Sequence, residues 1–349
     1  MTGREAPATA APPSAGGAVR LPRDIAAARR AAMLKRLLGE LIGDLVARDG
    51  LTDVEANSDG SVWAAFLGRP KERVGSIAPH DAEKLIYAVA KAAKEEVGRH
   101  KPALAAELES EAGDGVVVLR FQGFLPPVSR APCFIVRKPP SAVYTLDDYV
   151  AQGVMRPTQR ERLEFAVERR ENVLICGGTG GGKTTLMNAL LRSVAALTPG
   201  DRVLCSERTR ELQCPVPNAE YLRTGEGYTT QQSLQDILRA NPDRIMVGEV
   251  RGAEAMDMLM SWNTGHDGGF CTIHAKTSAP TPRAALIRLE QAASLATSMP
   301  LHRIIGETVD LVVCIQKSAA NEAGRIVSHI AAVKGWSGAD YDIQLEAPP

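Results

Sequence analysis

The chain has 349 residues, and its 41 basic and 41 acidic residues cancel to a formal net charge of zero at pH 7. This balance argues against a protein that coats nucleic acid, and the 4% aromatic content disfavours a base-stacking surface, so no direct contact with nucleic acid is expected. The sequence has no apolar run long enough to cross a bilayer and no Cys-x-x-Cys pair that would indicate a zinc site.

The amino-terminal segment, residues 1–23, is rich in Ala, Pro and Gly and is predicted to be a disordered tail. From Asp24 to about Gly50, apolar residues recur every three or four positions, which predicts an amphipathic helix. Its apolar face comprises Leu34, Leu37, Leu38, Leu41, Ile42 and Leu45. The basic residues of its early turns are Arg29, Arg30, Lys35 and Arg36. They indicate either a peripheral contact with anionic membrane lipid or an ordinary solvated helix face, and the second interpretation is favoured.

A small α+β amino-terminal domain is predicted over residues 24–140. Short strands are expected at 54–57, 61–66, 116–121 and 133–137, and Asp81 is expected to cap a second helix. The Lys-Pro-Pro-Ser sequence that begins at Lys138 marks the end of this domain. A linker over 141–157 and a second domain over 158–340 complete the predicted organisation.

The second domain alternates strands with helices, which predicts an α/β fold with a mainly parallel sheet covered by helices. Thr145 and Asp148 have the spacing of a helix start, and Pro157 is predicted to begin another helix. The predicted strands are 173–176, 202–206, 245–247, 270–273, 311–315 and 326–330, and the helices are 186–191, 232–239, 253–262 and 282–298. A ligand of such a sheet binds at the carboxyl ends of the strands.

A glycine-rich turn joins the first of these strands to its helix and fits the phosphate-loop pattern G-x-x-x-x-G-K-[ST]. Glycines allow successive backbone N–H groups to surround phosphate oxygens, and the helix amino terminus adds partial positive charge. Lys183 is predicted to reach the β- and γ-phosphates, and the Thr184 hydroxyl to ligate Mg²⁺. The predicted nucleotide-binding residues are Gly177, Gly178, Thr179, Gly180, Gly181, Gly182, Lys183, Thr184 and Thr185. The chain is therefore predicted to bind ATP or a similar nucleoside triphosphate with Mg²⁺.

Acidic and histidine side chains follow the neighbouring strands. Glu249 ends an apolar strand and is predicted either to bind Mg²⁺, directly or through water, or to polarise the attacking water. Glu207 and Glu211 follow another strand and lie within reach of the γ-phosphate water. His274 ends a third strand, with His266 shortly before it, and is interpreted either as a γ-phosphate sensor or as an ordinary hydrogen-bonded histidine.

Taken together, these motifs resemble the secretion-ATPase superfamily of type II and type IV secretion and pilus motors, and most of all the TrbB-type conjugal-transfer ATPases. The resemblance extends from about residue 33 to the last strands. The stretches that carry it are GGTGGGKTT at 177–185, SERTREL at 206–212, LRANPDRIMVGEVRG at 238–252, TGHDGGFCTIHA at 264–275, FQGFLPPVSRAPCFIVRKP at 121–139 and TLDDYV at 145–150.

The resemblance implies a hexameric ring of subunits, each with an amino-terminal domain and a RecA-like P-loop ATPase domain. It implies ATP hydrolysis in the cytoplasm, peripheral to the inner membrane, with components of the secretion channel as partners. Lys183, Glu211, Glu249 and His274 would be catalytic, with Glu211 the leading candidate to activate water and Glu249 the alternative. Family arginines that reach the phosphates from the amino-terminal domain or a neighbour match Arg120 and Arg137.

Two positions depart from the family pattern. The acidic motif normally reads Glu-Asp-Thr, but Arg208 replaces the Asp, and Gly181 stands where the loop normally has Ser or Thr. Three alternatives to a conjugal-transfer motor stay open: a pilus assembly or retraction motor, a RecA-like nucleic-acid motor, and a scaffold that binds nucleotide without hydrolysing it.

Overall fold

The computed structural model describes residues 23–66, 69–112, 115–138, 144–225, 227–275 and 280–346, so the predicted tail at 1–23 lies almost entirely outside the described residues. The chain divides into two compact units. The first comprises residues up to 49, 54–62 and 75–135, and the second comprises 50–53, 63–74 and the chain from 136 onward. None of the described helices combines the length and apolarity needed to span a lipid bilayer.

A six-stranded sheet with two helices forms the amino-terminal part of the fold, in the strand order β3-β2-β1-β6-β5-β4. Strands β4 and β5 are antiparallel neighbours over their whole length. The elements are α1 (Arg23–Ala47), β1 (Leu51–Ala56), β2 (Ser61–Phe66), β3 (Glu72–Ser76), α2 (Pro79–Ala93), β4 (Ala103–Ala112), β5 (Gly115–Phe124) and β6 (Cys133–Arg137).

The predicted first helix is present, but Gly39 interrupts it with a φ of 77°. The buried face is narrower than predicted, because Leu41 is 36% exposed whereas Leu38 and Ile42 are buried. Among the predicted lipid-binding cations, Lys35 forms an exposed ion pair with Asp44, 2.9 Å between Nζ and Oδ1. This pairing within the helix supports the solvated-face interpretation.

Three details of the amino-terminal prediction were wrong. Asp81 is not the cap of α2, because the helix begins at Pro79 and its N-cap residue is Ala78; Asp81 lies in the first turn, where its charge favours the helix dipole. Strand β3 was missed because its residues are mostly polar and partly exposed. Strand β4 was missed because its Ala- and Glu-rich sequence has low strand propensity, and pairing with β5 overrides that propensity.

The carboxyl-terminal part is an eight-stranded sheet in the order β14-β13-β12-β7-β11-β10-β8-β9. The six strands from β12 to β9 are parallel neighbours, and β12, β13 and β14 are joined by antiparallel pairing, so the predicted mainly parallel sheet is confirmed. Its elements are α3 (Leu146–Ala151), α4 (Pro157–Glu168), β7 (Val173–Gly177), α5 (Lys183–Leu197), β8 (Val203–Glu207), β9 (Ala219–Arg223), α6 (Thr230–Arg239), β10 (Arg244–Val250), α7 (Glu254–Asn263), β11 (Phe270–His274), α8 (Pro282–Ala293), α9 (His302–Thr308), β12 (Leu311–Lys317), β13 (Arg325–Trp336) and β14 (Tyr341–Glu346).

Each face of this sheet is covered by its own apolar core, because side chains alternate along the strands. On β7, Val173 and Ile175 face a cluster that includes α4 and α5, whereas Leu174 and Cys176 face a cluster that includes α6 to α9. Four of the six cysteines are fully buried in this sheet, as expected of small apolar residues; Cys133 and Cys214 are partly exposed.

Asn172 fixes the register of the three central strands at their amino ends. Its side-chain Nδ2 donates to the Thr308 carbonyl at 3.0 Å, and its Oδ1 accepts from the Gly269 backbone N–H at 2.9 Å. The carboxyl ends of β11 and β12 are thereby aligned with the end of β7.

The fully buried Arg244 joins four elements at the amino edge of the sheet. Its guanidinium contacts Asp201 at 2.6 Å and donates to the Val167 carbonyl at 2.8 Å and the Gly268 carbonyl at 3.3 Å. Because Asp201 is itself 8% exposed, removal of the arginine leaves a buried carboxylate short of a partner.

We therefore expect Arg244→Met to lower the free energy of unfolding by about 3 kcal/mol, since the buried Asp201 then keeps only Arg170 as an ion-pair partner and two carbonyls lose their donor. Urea denaturation followed by circular dichroism measures this change. Arg239→Met is the matched control because the Arg239 side chain is 79% exposed, and its effect should stay below about 0.5 kcal/mol. Equal stability of the two variants would contradict the structural role of Arg244.

Candidate nucleotide-binding site

The phosphate loop lies at the carboxyl end of β7 and leads directly into α5, as the sequence predicts. Gly180 and Gly182 have φ angles of 69° and 99°, in the left-handed region that favours glycine. The Gly181 N–H donates to the Gly178 carbonyl at 3.1 Å, which closes the turn. Gly182 is the N-cap of α5 and has no side chain to occupy the first N–H groups of the helix. These groups are therefore available to a bound anion.

Two glycines of the loop lie close to backbone carbonyl oxygens. A Cβ built on Gly177 would lie 2.2 Å from the Ile315 carbonyl oxygen of β12, so no larger residue fits there. At Gly181, where the family normally has Ser or Thr, a Cβ would lie 3.0 Å from the Gly178 carbonyl oxygen. A side chain at this position would therefore require a small shift of the loop backbone.

Lys183 is the buried cation of the site, with 8% exposure. Its Nζ donates to the Gly178 carbonyl at 3.3 Å and lies 3.3 Å from Nδ1 of His274. Burial lowers the pKa of Lys183, and the negative charge of Glu249 opposes that effect.

His274 lies beside the phosphate loop because β11 pairs in parallel with β7, which places His274 opposite Gly177. An ammonium group only donates, so Nδ1 of His274 accepts from Lys183 and the ring proton resides on Nε2. Nε2 lies 2.8 Å from Oε1 of Glu249. Burial and then the charge of Lys183 lower the pKa of His274, so the ring is neutral at neutral pH.

Glu249 lies between His274 and Arg251. Its Oε1 accepts from His274, and its Oε2 contacts Nε of Arg251 at 2.6 Å and Nη2 at 2.5 Å. The pairing of β10 with β11 is irregular between Val247 and Val250, which turns this part of β10. The preceding residue, Gly248, lies close to β8, and a Cβ there would be 3.3 Å from Cβ of Glu207. The Asp expected at Gly248 in an ordinary Walker-B strand would be crowded.

The acidic motif after β8 separates into two different carboxylates. Oε2 of the buried Glu207 accepts from the backbone N–H groups of Glu211 and Leu212, both at 2.9 Å. Glu207 therefore shapes the loop, whereas Glu211 is partly exposed and its charge raises the pKa of Lys183. Arg208, the family departure, is exposed.

Asn188 of α5 holds this acidic loop and was not identified from the sequence. Its Nδ2 donates to the Glu211 carbonyl and its Oδ1 accepts from the Gln213 N–H, both at 2.9 Å. Its position on the helix that follows the phosphate loop was the available signal, but an asparagine in a helix has no distinctive spacing.

Arg288 was also not identified from the sequence, because a single arginine in a helix has no distinctive spacing either. It lines a cavity of about 360 Å³ together with Val250, Arg251, Ile273, His274 and Ala292.

Three predicted residues remain, namely His266, Arg120 and Arg137. His266 precedes the amino end of β11, whereas His274 is at its carboxyl end, so the two histidines lie at opposite ends of this strand. Arg120 is on β5 opposite Glu107 of β4, and Arg137 contacts Asp53 at 2.7 Å. The participation of these two arginines in the site stays a prediction.

The sequence relationships agree with this geometry. A profile of the family described as "Type II/IV secretion system protein" matches residues 84–330. The chain belongs to this family. The match confirms the family expected from the motifs.

One relative within the family is the "Probable conjugal transfer protein TrbB" of Sinorhizobium fredii, 38% identical over 317 residues that cover 90% of this chain and 94% of the relative. Among solved structures, the ATPase DotB of Legionella pneumophila has a TM-score of 0.59 and 17% identity, covering 86% of this chain and 81% of DotB. The pilus retraction motor PilT, with bound ADP, has a TM-score of 0.59 and 18% identity, covering 91% of this chain and 83% of PilT. The two structural likenesses show the shared fold.

Because the pKa of His274 is lowered in the folded protein, the stability of the fold is expected to depend on pH. Below its ordinary pKa of 6.5 the unfolded chain binds a proton at this residue before the folded protein does. The contribution of His274 is therefore fully present above pH 6.5 and is lost as the pH falls toward the folded-state pKa. We expect the melting temperature of the nucleotide-free protein to fall between pH 7.5 and pH 6, and His274→Asn to reduce that fall.

Differential scanning calorimetry at several pH values measures this effect. His80→Asn is the control, because the side chain of His80 is 67% exposed and lies outside the site. A pH dependence that is identical in wild type and His274→Asn would show that His274 is not held neutral by its surroundings.

Proposed function

We propose that this family member is an ATP-hydrolysing motor. It powers a type IV secretion apparatus of the conjugal-transfer kind. The observation that carries the proposal is the chain of contacts from Lys183 through His274 to Glu249, beside a glycine loop whose helix begins without a side-chain cap. The 38% identity to a relative named for conjugal transfer supports the choice of apparatus.

We assign the phosphates to the backbone N–H groups of residues 177–185 and to the ammonium of Lys183. In the nucleotide-free site, the ammonium contacts only a carbonyl and a neutral imidazole among the described residues, and both contacts are long at 3.3 Å. A β- or γ-phosphate oxygen is a stronger, charged acceptor, so Lys183 transfers its hydrogen bonds to the nucleotide.

The protonation state of His274 changes when Lys183 transfers its hydrogen bonds to the nucleotide. When Lys183 turns to the phosphates, the cation that lowers the pKa of His274 is neutralised and the γ-phosphate adds negative charge nearby. The ring then takes up a proton on Nδ1 and donates it in a hydrogen bond to the γ-phosphate, while Nε2 stays on Glu249. Loss of the γ-phosphate reverses the change, so the residue distinguishes ATP from ADP.

The residues present fit Mg²⁺. A hydroxyl from Thr184 and a carboxylate from Glu249 are the oxygen donors that this ion prefers. Both oxygens of Glu249 contact neighbouring side chains, so Thr184 would hold the ion directly and Glu249 would hold it through water. When bound, Mg²⁺ neutralises charge on the β- and γ-phosphates.

Glu211 is the proposed base that orients and deprotonates the attacking water. Its backbone N–H donates to Glu207 and its backbone carbonyl accepts from Asn188, so the segment that carries this carboxylate is held at both sides. Glu249 remains the alternative base, but its engagement by Arg251 and His274 suits the positioning of metal-bound water.

The wider assembly is likewise proposed. We place the chain in a homohexameric ring, in the cytoplasm and peripheral to the inner membrane, in contact with secretion-channel components. The same proposal includes the domain limits 24–140, 141–157 and 158–340. It also includes the participation of Arg120 and Arg137, which would reach the phosphates from the amino-terminal domain or from a neighbouring subunit. A pilus retraction motor is the rival function, supported by fold likeness alone. Dependence on conjugative-channel genes rather than pilin genes separates the two.

Lys183→Ala tests the proposed function. We expect steady-state phosphate release to fall at least about 100-fold, since the variant loses the charge that stabilises the transferring phosphoryl group. Sedimentation analysis should show that the variant assembles like the wild type. Lys334→Ala, at an exposed position of β13, is the control and should retain full activity. Undiminished phosphate release in Lys183→Ala would remove this residue from the mechanism, and absence of release in the wild type would support the scaffold alternative.

Glu211→Gln and Glu249→Gln separate the two candidate bases. Removal of a general base costs about 10²- to 10⁴-fold in rate, so we expect Glu211→Gln to lose at least 100-fold in kcat. For Glu249→Gln we expect a smaller loss of kcat and a higher Mg²⁺ concentration for half-maximal rate. Titration of the ATPase rate with Mg²⁺ at saturating ATP measures both. The opposite ranking in kcat would assign the base to Glu249.

A further inference from the structure

Two cations that no motif identified lie at the base of the hairpin between β12 and β13. Lys317 is the last residue of β12 and Arg325 is the first of β13, and the two are direct partners in the antiparallel ladder. Because β12 runs parallel to β7, its carboxyl end lies at the same edge of the sheet as the phosphate loop. The hairpin thus approaches the loop from the side of β7 opposite to β11, which carries His274.

Both side chains reach the glycines of the loop. A Cβ built on Gly182 would lie 2.7 Å from Nη1 of Arg325 and 3.3 Å from its Cδ. A Cβ built on Gly180 would lie 3.6 Å from both Nζ and Cε of Lys317. The guanidinium and the ammonium therefore lie against the two loop residues whose backbone adopts positive φ.

The hairpin is held in this position by contacts that do not involve nucleotide. Nδ2 of Asn321 donates to the carbonyls of Gly153 and Arg325, both at 2.8 Å, and its Oδ1 accepts from the Arg325 N–H at 3.3 Å. Further along β13, the Val327 N–H donates to the Val154 carbonyl at 2.8 Å. The two cations are thus positioned before a ligand binds, which reduces the entropy that binding must overcome.

The charges of this pair are not balanced by the protein that surrounds them. Within the described ranges, neither Lys317 nor Arg325 forms an ion pair with a carboxylate, and Nε of Arg325 donates to the Ala323 carbonyl at 3.3 Å. Lys183 adds a third positive charge to the same loop. Three cations around one glycine loop repel each other unless an anion lies among them.

We propose that Lys317 and Arg325 bind the α- and β-phosphates of the nucleotide and form a second cationic wall of the site. The proposal rests on the proposed nucleotide-binding function. Their position on the side of β7 away from His274 assigns them to the phosphates nearer the ribose. ADP and ATP share these phosphates, so the two residues strengthen both complexes equally and act on affinity rather than on kcat.

The test is a titration of the full chain with a fluorescent N-methylanthraniloyl derivative of ADP. We expect Arg325→Met to raise the Kd about tenfold, the loss of one charge-assisted contact, and Lys317→Met to raise it less because Lys317 is more exposed. Arg325→Lys, which keeps the charge, should stay within about threefold of wild type. The slope of log Kd against log salt concentration should decrease in Arg325→Met and not in Arg325→Lys.

Arg239→Met, an exposed arginine replaced in the same way, is the control and should bind like wild type. If Arg325 had a purely structural role, both Arg325 variants would bind the probe equally weakly and would melt at a lower temperature without nucleotide. That result overturns the proposal. Unchanged affinity in Arg325→Met also overturns it. Failure of the wild type to bind the probe instead refutes the nucleotide-binding function itself.

Discussion

The buried ammonium of Lys183 is the constraint on which the rest of the site depends. A buried cation without an anion requires hydrogen-bond acceptors, and here they are the Gly178 carbonyl and the unprotonated Nδ1 of His274. That contact fixes the tautomer of the ring, which in turn directs Nε2 to Glu249, and Glu249 orients Arg251. One charge under the loop thus sets the tautomer of His274 and, through it, the direction of Glu249 and Arg251.

The strand order makes this arrangement possible. Residues that are far apart in sequence meet because β7 is flanked by β11 on one side and by β12 on the other, with β10 and β8 following beyond β11. The carboxyl ends of these parallel strands bring the loop, His274, Glu249 and the acidic motif to one edge. The amino edge is fixed independently by Asn172 and by the buried pair of Arg244 with Asp201.

The sequence predicted the phosphate loop, the parallel sheet and the site carboxylates because glycine spacing and apolar runs are local signals. It could not separate the roles of Glu207 and Glu211, since both follow the same strand and only the folded loop shows which carboxylate accepts backbone N–H groups. It did not show that His266 and His274, eight positions apart, lie at opposite ends of β11. The strand β14 and the helix α9 were missed for lack of a strong pattern; they depend on long-range packing against β13.

Asn188 has a mechanical consequence. It lies little more than one turn beyond Lys183 on α5, and both ends of its amide clasp the backbone of the loop that bears Glu211. An α-helix is stiff over such a distance, so the segment that grips phosphate and the segment that carries the acid travel as one body. Under the proposed function, chemistry at this centre would proceed without internal rearrangement between these segments, and the deformation that couples hydrolysis to work would be absorbed by other parts of the chain.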